Sequence, residues 1–513
     1  MPPIVRNPAQ NATERFDIII IGGGIYGVFL ALQATEYGLR PLLLDSDDFG
    51  GGTSFNSLRI IHGGLRYLQS FDMRRFVESV TERRWFLANF PDLVSRLPCL
   101  MPLYGKGVRR KSIMRMAMLA NDILSYRRNT GLPKQNLIVP ARVISAEAAL
   151  DLFPGLLHDK LKGGALWHDA AVDDSPRLLM ELLRWAVARG ARAINYARAT
   201  NLLVRSDKVD GIAAIDSIDS QEYEFHAPLV VNATGPWSEQ LSAQFGDERK
   251  GIFAPSLAWN LWMDRPAPAR CALALTASRP RAPTYFVRPW KNRMLIGTGH
   301  AAWSGNLSDP HPTGQQIASM LTDINSAAPE LQLSPDQVRH VFAGLLPARK
   351  PGSSELSVRP AIINHAEGSR FQGFYTVSGV KFTTARRVAL DTLKRIVGRH
   401  SIAPTVKSTR PPAALGWQSA GLDFDNEQVE NGYLENLRIL ISDESVQHLT
   451  DLVFRRTDLW ENPDVVARLA EEIADLFDWS QERKQTEIRN LMGECGIQGT
   501  TGTNTDFAIG STS

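Results

Sequence analysis

The chain has 513 residues, 43% of them hydrophobic and 22% charged, with a formal net charge of +3. At about 100–200 residues per domain this length predicts two to four domains, and the near-average composition excludes global disorder and collagen-like structure. The small net charge argues against a dedicated nucleic-acid binder, and three scattered cysteines (Cys99, Cys271 and Cys495) exclude a disulfide framework or a Cys-rich metal site.

Residues 1–15 are polar and lack the apolar core of a secretory signal. Phe16 to Ile21 is a continuous apolar, β-branched run, which predicts a strand covered on both faces. The apolar stretch from Ile18 to Leu32 falls short of the ~20 residues that span a bilayer, and glycines interrupt it. A helix is expected to about Gly38, then a second strand, Pro41 to Leu44, ending at Asp45.

Between the first strand and the helix, Gly22-Gly23-Gly24-Ile25-Tyr26-Gly27 satisfies G-x-G-x-x-G. The first glycine permits a tight turn, the second admits a pyrophosphate to the backbone, and the third lets helix and strand pack closely. The helix N-terminus adds partial positive charge. Asp45, about 20 residues on, is placed to accept from ribose hydroxyls, which disfavours a 2′-phosphate and hence NADP. The turn alone leaves FAD and NAD both open.

Further along, Arg177–Arg189 reads as a helix, and Ala191–Tyr196 and Leu229–Asn232 read as strands. Alternation in Leu257–Met263, Thr284–Arg288 and Arg293–Gly297 predicts an antiparallel sheet. Phe374–Ser378 predicts a strand and Thr383–Val397 a helix, so the nucleotide-binding sheet is expected to be assembled from separated segments. Residues 401–421 read as a linker. Asn462-Pro463 and Ser480 then mark the starts of two C-terminal helices, and the Gly/Thr/Ser-rich stretch 499–513 reads as disordered.

Thr53-Ser54-Phe55-Asn56-Ser57 and Ile61-His62-Gly63-Gly64-Leu65-Arg66-Tyr67-Leu68 closely resemble a segment of the FAD-dependent glycerol-3-phosphate dehydrogenases, within the D-amino-acid-oxidase-like flavoproteins. Val172-Asp173-Asp174, Val231-Asn232-Ala233-Thr234-Gly235-Pro236-Trp237 and Ser378-Gly379-Val380-Lys381-Phe382-Thr383-Thr384 resemble further blocks of that family, in the same order. The resemblance spans about residues 16–495. It implies an α/β fold with a Rossmann-like FAD-binding domain built from discontinuous segments (16–98, 165–245 and 341–400). It also implies a mixed or antiparallel substrate domain at 246–340 and a C-terminal helical domain at 422–495, before a tail at 496–513. Residues 99–164 are expected to form an insert that faces a membrane.

FAD is the cofactor the resemblance implies. Gly22, Gly24, Ile25, Tyr26 and Gly27 would bind its pyrophosphate and Asp45 its ribose, with Thr53, Ser54 and Ser57 along the phosphates and ribityl chain. His62, Gly63 and Gly64 would lie near the isoalloxazine, with Thr234 and Gly235 against the FAD backbone and Gly379, Lys381, Phe382 and Thr383 at its pyrimidine side. A cation there stabilises the negative charge that reduction places on the flavin. The substrate side would use Arg66, Tyr67, Arg359, Lys381 and His300. Three positions depart from the family pattern: Leu346 stands where an arginine is expected, Asn260 where a histidine is, and His300 where an acid is.

The implied reaction is oxidation of a small polar alcohol, most like sn-glycerol 3-phosphate, by hydride transfer to flavin N5. An amine or amino-acid oxidase is the alternative, and a non-catalytic FAD-binding protein is a third. Basic residues from Lys106 to Arg128 interleave with Ile113, Met114, Met116, Met118, Leu119, Ile123 and Leu124, as in a helix that lies on anionic lipid or simply packs on a core. Membrane quinone would then be the electron acceptor, and the location cytoplasmic, on the inner face of the membrane. The sequence leaves open whether the chain forms a homo-oligomer.

Overall fold

The structure, a computed structural model, describes residues 2–105, 107–277, 279–280, 282–366, 371–398 and 433–496. The linker at 401–421 and the tail segment 499–513 lie outside the described residues.

A six-stranded sheet forms the cofactor layer, in the order Ala361–Asn364, Phe374–Ser378, Val230–Asn232, Ile18–Ile21, Pro41–Leu44 and Arg192–Ile194. All neighbours are parallel except the first pair. Ile18–Ile21 and Pro41–Leu44 are buried at every position, as continuous apolar strands in a doubly covered parallel sheet should be. Phe16 precedes the ladder, its N–H donating to the His226 carbonyl, so the first strand starts two residues later than the apolar run suggests.

The helix Ile25–Glu36 is apolar almost all round because it is the middle of a layer, packed between helices Ser175–Ala188 and Ala385–Val397. Asp174 caps the first of these neighbours by accepting from the Arg177 N–H.

The substrate layer is a nine-stranded, mostly antiparallel sheet. It holds Pro255–Met263, Ala272–Thr276, Thr284–Trp290, Arg293–Ala302 and Val338–Pro347, together with Val94–Leu103, Gly163–Val172 and two shorter strands. The two ends of 99–164 belong to this sheet, since Val94–Leu103 and Gly163–Val172 pair along their whole length, and the residues between them carry the helices Lys111–Leu124 and Ala146–Leu152. The layer also begins well before residue 246 and runs past 340.

The C-terminal helices Pro463–Ala474 and Gln481–Glu494 start at the expected caps. The Asn462 side chain accepts from the Val465 N–H and that of Ser480 from the Arg483 N–H. A π-helical turn at Asp451–Arg456 presents two arginines to Asp48, just beyond the second strand. Asp48 accepts from Arg455 at 2.6 Å and from Arg456 at 2.7 and 2.8 Å. Burial pushes the Asp48 carboxyl up, but Arg456 and Arg455 outweigh it and hold it far below the usual range. Alongside, Glu444 accepts from Arg177 at 2.7 and 2.9 Å and from Arg184 at 3.0 Å, all three side chains buried. Removing one partner of such a group strands the rest as buried charge. Glu444→Ala is expected to cost about 3–5 kcal/mol, read as a lower urea midpoint; an unchanged midpoint would show that the arginines find water or other acceptors.

Candidate active site

The glycine turn forms at the C-terminal end of the first strand. Gly22 has a φ of +108°, and a Cβ on Gly27 would stand 1.8 Å from the Gly22 carbonyl oxygen. Both positions thus require glycine. Gly24 is the extended N-cap of the helix and makes no side-chain cap bond, so the first-turn amides are left for other acceptors. One is already used: the Ile25 N–H donates to Ser54 Oγ at 3.0 Å. Asp45 accepts from the Gly23 N–H at 2.5 Å and from the Asp47 N–H at 3.0 Å. Burial outweighs those bonds and raises its carboxyl to about 7. An uncapped helix start, a floor of glycines and a buried acid at the next strand end fit the pyrophosphate and ribose of a dinucleotide.

The other residues expected on the cofactor side come from distant segments. Thr53 packs on Gly344 and donates to the Leu345 carbonyl at 3.2 Å. Ser57 accepts from the Arg59 N–H. Thr234 donates to Asn232 Oδ1 at 2.7 Å, and Gly235 follows at a φ of +58°. Gly379, Phe382 and Thr383 sit in the turn after Phe374–Ser378, where Phe382 packs on Phe86. Gly63 and Gly64 open the short helix Leu65–Gln69 that carries Arg66 and Tyr67.

His62 belongs to a dyad that the sequence reading missed. Its Nδ1 lies 3.0 Å from Asp169 Oδ2, and Asp169 Oδ1 accepts from the Gly63 N–H at 2.7 Å. Arg83 stands 3.7 Å from the same carboxylate. Burial pushes Asp169 up, but His62, Arg83 and the Gly63 amide together hold it below the usual carboxylate range. His62 Nε2 has no hydrogen-bond partner among the described residues. The signal that could have found Asp169 is an acid inside the otherwise apolar strand Gly163–Val172.

Lys381 Nζ lies 4.2 Å from the centre of the Tyr67 ring, whose other neighbour is the Arg75 guanidinium at 4.8 Å. Burial and then Arg66 lower the Lys381 ammonium to about 8. His300 is exposed at its surface, yet the protein packed around it and again Arg66 lower its imidazole to about 4. Arg66 therefore lies near both Lys381 and His300, and no carboxylate is paired with any of the three among the described residues. Arg359 is exposed and lies toward Asp72, which is itself paired with Arg75 at 2.5 Å. Asn260 is a wall residue that donates to the Asn56 carbonyl and accepts from Thr298.

Residues 17–389 match the family model described as FAD dependent oxidoreductase. The chain belongs to that family. It is an FAD-dependent oxidoreductase enzyme. It is 30% identical over 428 residues to a glycerol-3-phosphate dehydrogenase of Synechocystis sp., covering 79% of this chain and 75% of that one. It is also 32% identical over 387 residues to a glycerol-3-phosphate dehydrogenase of Mycobacterium leprae, covering 75% of this chain and 63% of that one. Among solved structures, the glycerol-3-phosphate dehydrogenase of Bacillus halodurans complexed with FAD aligns at a TM-score of 0.72 and 21% identity, covering 97% and 98% of the two chains. The glycine oxidase of Geobacillus kaustophilus shares the fold at 0.54, with 17% identity, covering 77% of this chain and all of that one.

The cradle predicts that Gly27→Ala, which places its methyl group on the Gly22 carbonyl, is purified colourless. Retention of a full complement of FAD in this variant would contradict the placement of the pyrophosphate.

Proposed function

We propose that this oxidoreductase converts sn-glycerol 3-phosphate to dihydroxyacetone phosphate. The observation that carries the reading is the cluster of Arg66, Lys381 and His300 with no acid among them, close to the His62–Asp169 dyad. A dianionic phosphate is the chemistry that such unpaired basic groups suit. Arg66 supplies the planar fork, and Lys381 supplies a point charge that a bound phosphate would keep protonated. The names carried by both dehydrogenase relatives support the same substrate.

FAD, when bound, supplies the two-electron acceptor for the hydride leaving C2. The chain supplies the proton chemistry. His62 takes the C2 hydroxyl proton on Nε2, because Asp169 engages Nδ1, fixes the ring and stabilises the imidazolium that forms. Lys381, at the head of the helical turn Phe382–Thr384, places positive charge where the reduced cofactor carries negative charge. Leu346 removes one cation that the family pattern would supply; Arg66 with Lys381 takes over that share of the phosphate charge, and His300, neutral near pH 7, offers a hydrogen bond rather than a charge. Mixing the protein anaerobically with glycerol 3-phosphate is expected to bleach the flavin, with one dihydroxyacetone phosphate formed per flavin. His62→Ala should slow the bleaching by ~10²–10⁴-fold. A flavin that stays oxidised in the unaltered protein would remove this substrate.

The electron acceptor proposed is a membrane quinone, reached from a peripheral surface on the inner face of the membrane. Helix Lys111–Leu124 buries Met114 and Met118 but exposes Ile113, Met116, Leu119 and Ile123 on another side. Arg110, Arg115 and Arg127 are exposed beside them. Arg109 and Arg128 are engaged instead, with Thr276 and with Asp122 and Ser125. The helix that bears Arg66 and Tyr67 packs on Lys111–Leu124, and Phe71 just after it is 87% exposed. That continuity supports an anionic bilayer close to the site. No helix among the described residues is long and apolar enough to cross a membrane. Met116→Glu with Leu119→Glu is expected to abolish flotation with phosphatidylglycerol vesicles while FAD is retained; undiminished flotation would contradict the surface.

A further inference from the structure

Tyr26 occupies one of the three variable positions of the glycine motif, which places it among the expected cofactor contacts. The structure gives its hydroxyl a different task. Tyr26 Oη donates to the Lys381 carbonyl at 2.8 Å and accepts from the Lys381 N–H at 3.1 Å. One phenol thus satisfies both backbone groups of the residue that carries the site's ammonium. The approach is close enough that a Cβ on Gly379 would stand 1.7 Å from the Tyr26 ring. Among the described residues, Lys381 Nζ has no hydrogen-bond or ion-pair partner; its contact is the Tyr67 ring. The side chain is therefore positioned from its main chain rather than by a carboxylate.

We propose that Tyr26 is a positioning residue for Lys381: its phenol pins the turn after Phe374–Ser378 to the first turn of the dinucleotide helix, and so sets where the ammonium stands. Burial raises the phenol to about 12, so it stays protonated, able to donate and accept at once, throughout the working range. The pin joins residues 355 apart in sequence. It makes the turn that seats the pyrophosphate and the turn that holds the cation a single rigid piece. Phenylalanine would fill the same space without either hydrogen bond, which separates positioning from packing. The inference rests on the reading above that Lys381 stands at the reducible end of the cofactor, and its two halves are tested separately.

Two measurements on flavin-loaded protein decide it. Hydrogen exchange reads the pin itself: Tyr26→Phe is expected to speed exchange of the Lys381 amide by about tenfold, with the sheet amides unchanged. The midpoint potential of the flavin reads the consequence. Lys381→Met should lower it, Tyr26→Phe should lower it by part of that amount, and Tyr26→Phe added to Lys381→Met should lower it no further. Unchanged exchange at Lys381 in Tyr26→Phe would overturn the proposal, as would an equal potential shift from Tyr26→Phe in both backgrounds. If Lys381→Met leaves the potential unchanged while Tyr26→Phe still frees the amide, the pin stands and the role assigned to Lys381 falls.

Discussion

A Cβ at residue 27 would meet the Gly22 carbonyl oxygen at 1.8 Å, and the cofactor end of the molecule depends on that missing carbon. Its absence lets the dinucleotide helix begin directly against the end of the first strand, with an uncapped N-terminus at the sheet edge. The other pieces of the site then fall into reach of that helix start. Asp45 comes from the next strand end, Ser54 from the following loop, and Lys381 from the far end of the chain through the Tyr26 hydroxyl. Burial of the helix between two others leaves it little freedom to drift, so the steric requirement at one glycine is transmitted to the residues packed against it.

The C-terminal helices are tied to the same region through charge. Asp48 follows Asp45 by three residues and is gripped by Arg455 and Arg456, while Glu444 collects Arg177 and Arg184 from a helix of the cofactor layer. Buried ion groups of this kind add little net stability over an apolar substitute, but they penalise every arrangement that leaves one charge alone. Their effect is to specify one seating of the C-terminal segment on the cofactor layer. The loop that follows Asp45 is thereby tied to the C-terminal segment.

The cofactor layer was legible in the sequence because its signals are local. Apolar strands, a glycine turn, a strand-end acid and helix caps each announce themselves within a few residues, and Pro41–Leu44 and Phe374–Ser378 have the expected bounds. The substrate layer was less legible. Val94–Leu103 carries Arg96, Pro98 and Pro102, which mask its strand character, and its partners lie far along the chain. Asp169 and Arg83 were missed for a related reason: each is an ordinary polar residue until Gly63, 106 residues before Asp169, is brought against it. Its motif marks Tyr26 as a ligand contact, whereas its partner is a backbone group that no local pattern reveals.

The proposed site stands on two groupings, His62 with Asp169 and Arg66 with Lys381 and His300, which would flank the reacting end of a bound flavin. A crystal structure of the FAD-loaded protein, soaked anaerobically with glycerol 3-phosphate, tests it most directly. The flavin ring is expected between His62 and the Lys381 turn, with the phosphate within hydrogen-bond reach of Arg66. A phosphate bound beyond the reach of Arg66, Lys381 and His300, or a flavin ring turned away from His62, would contradict it.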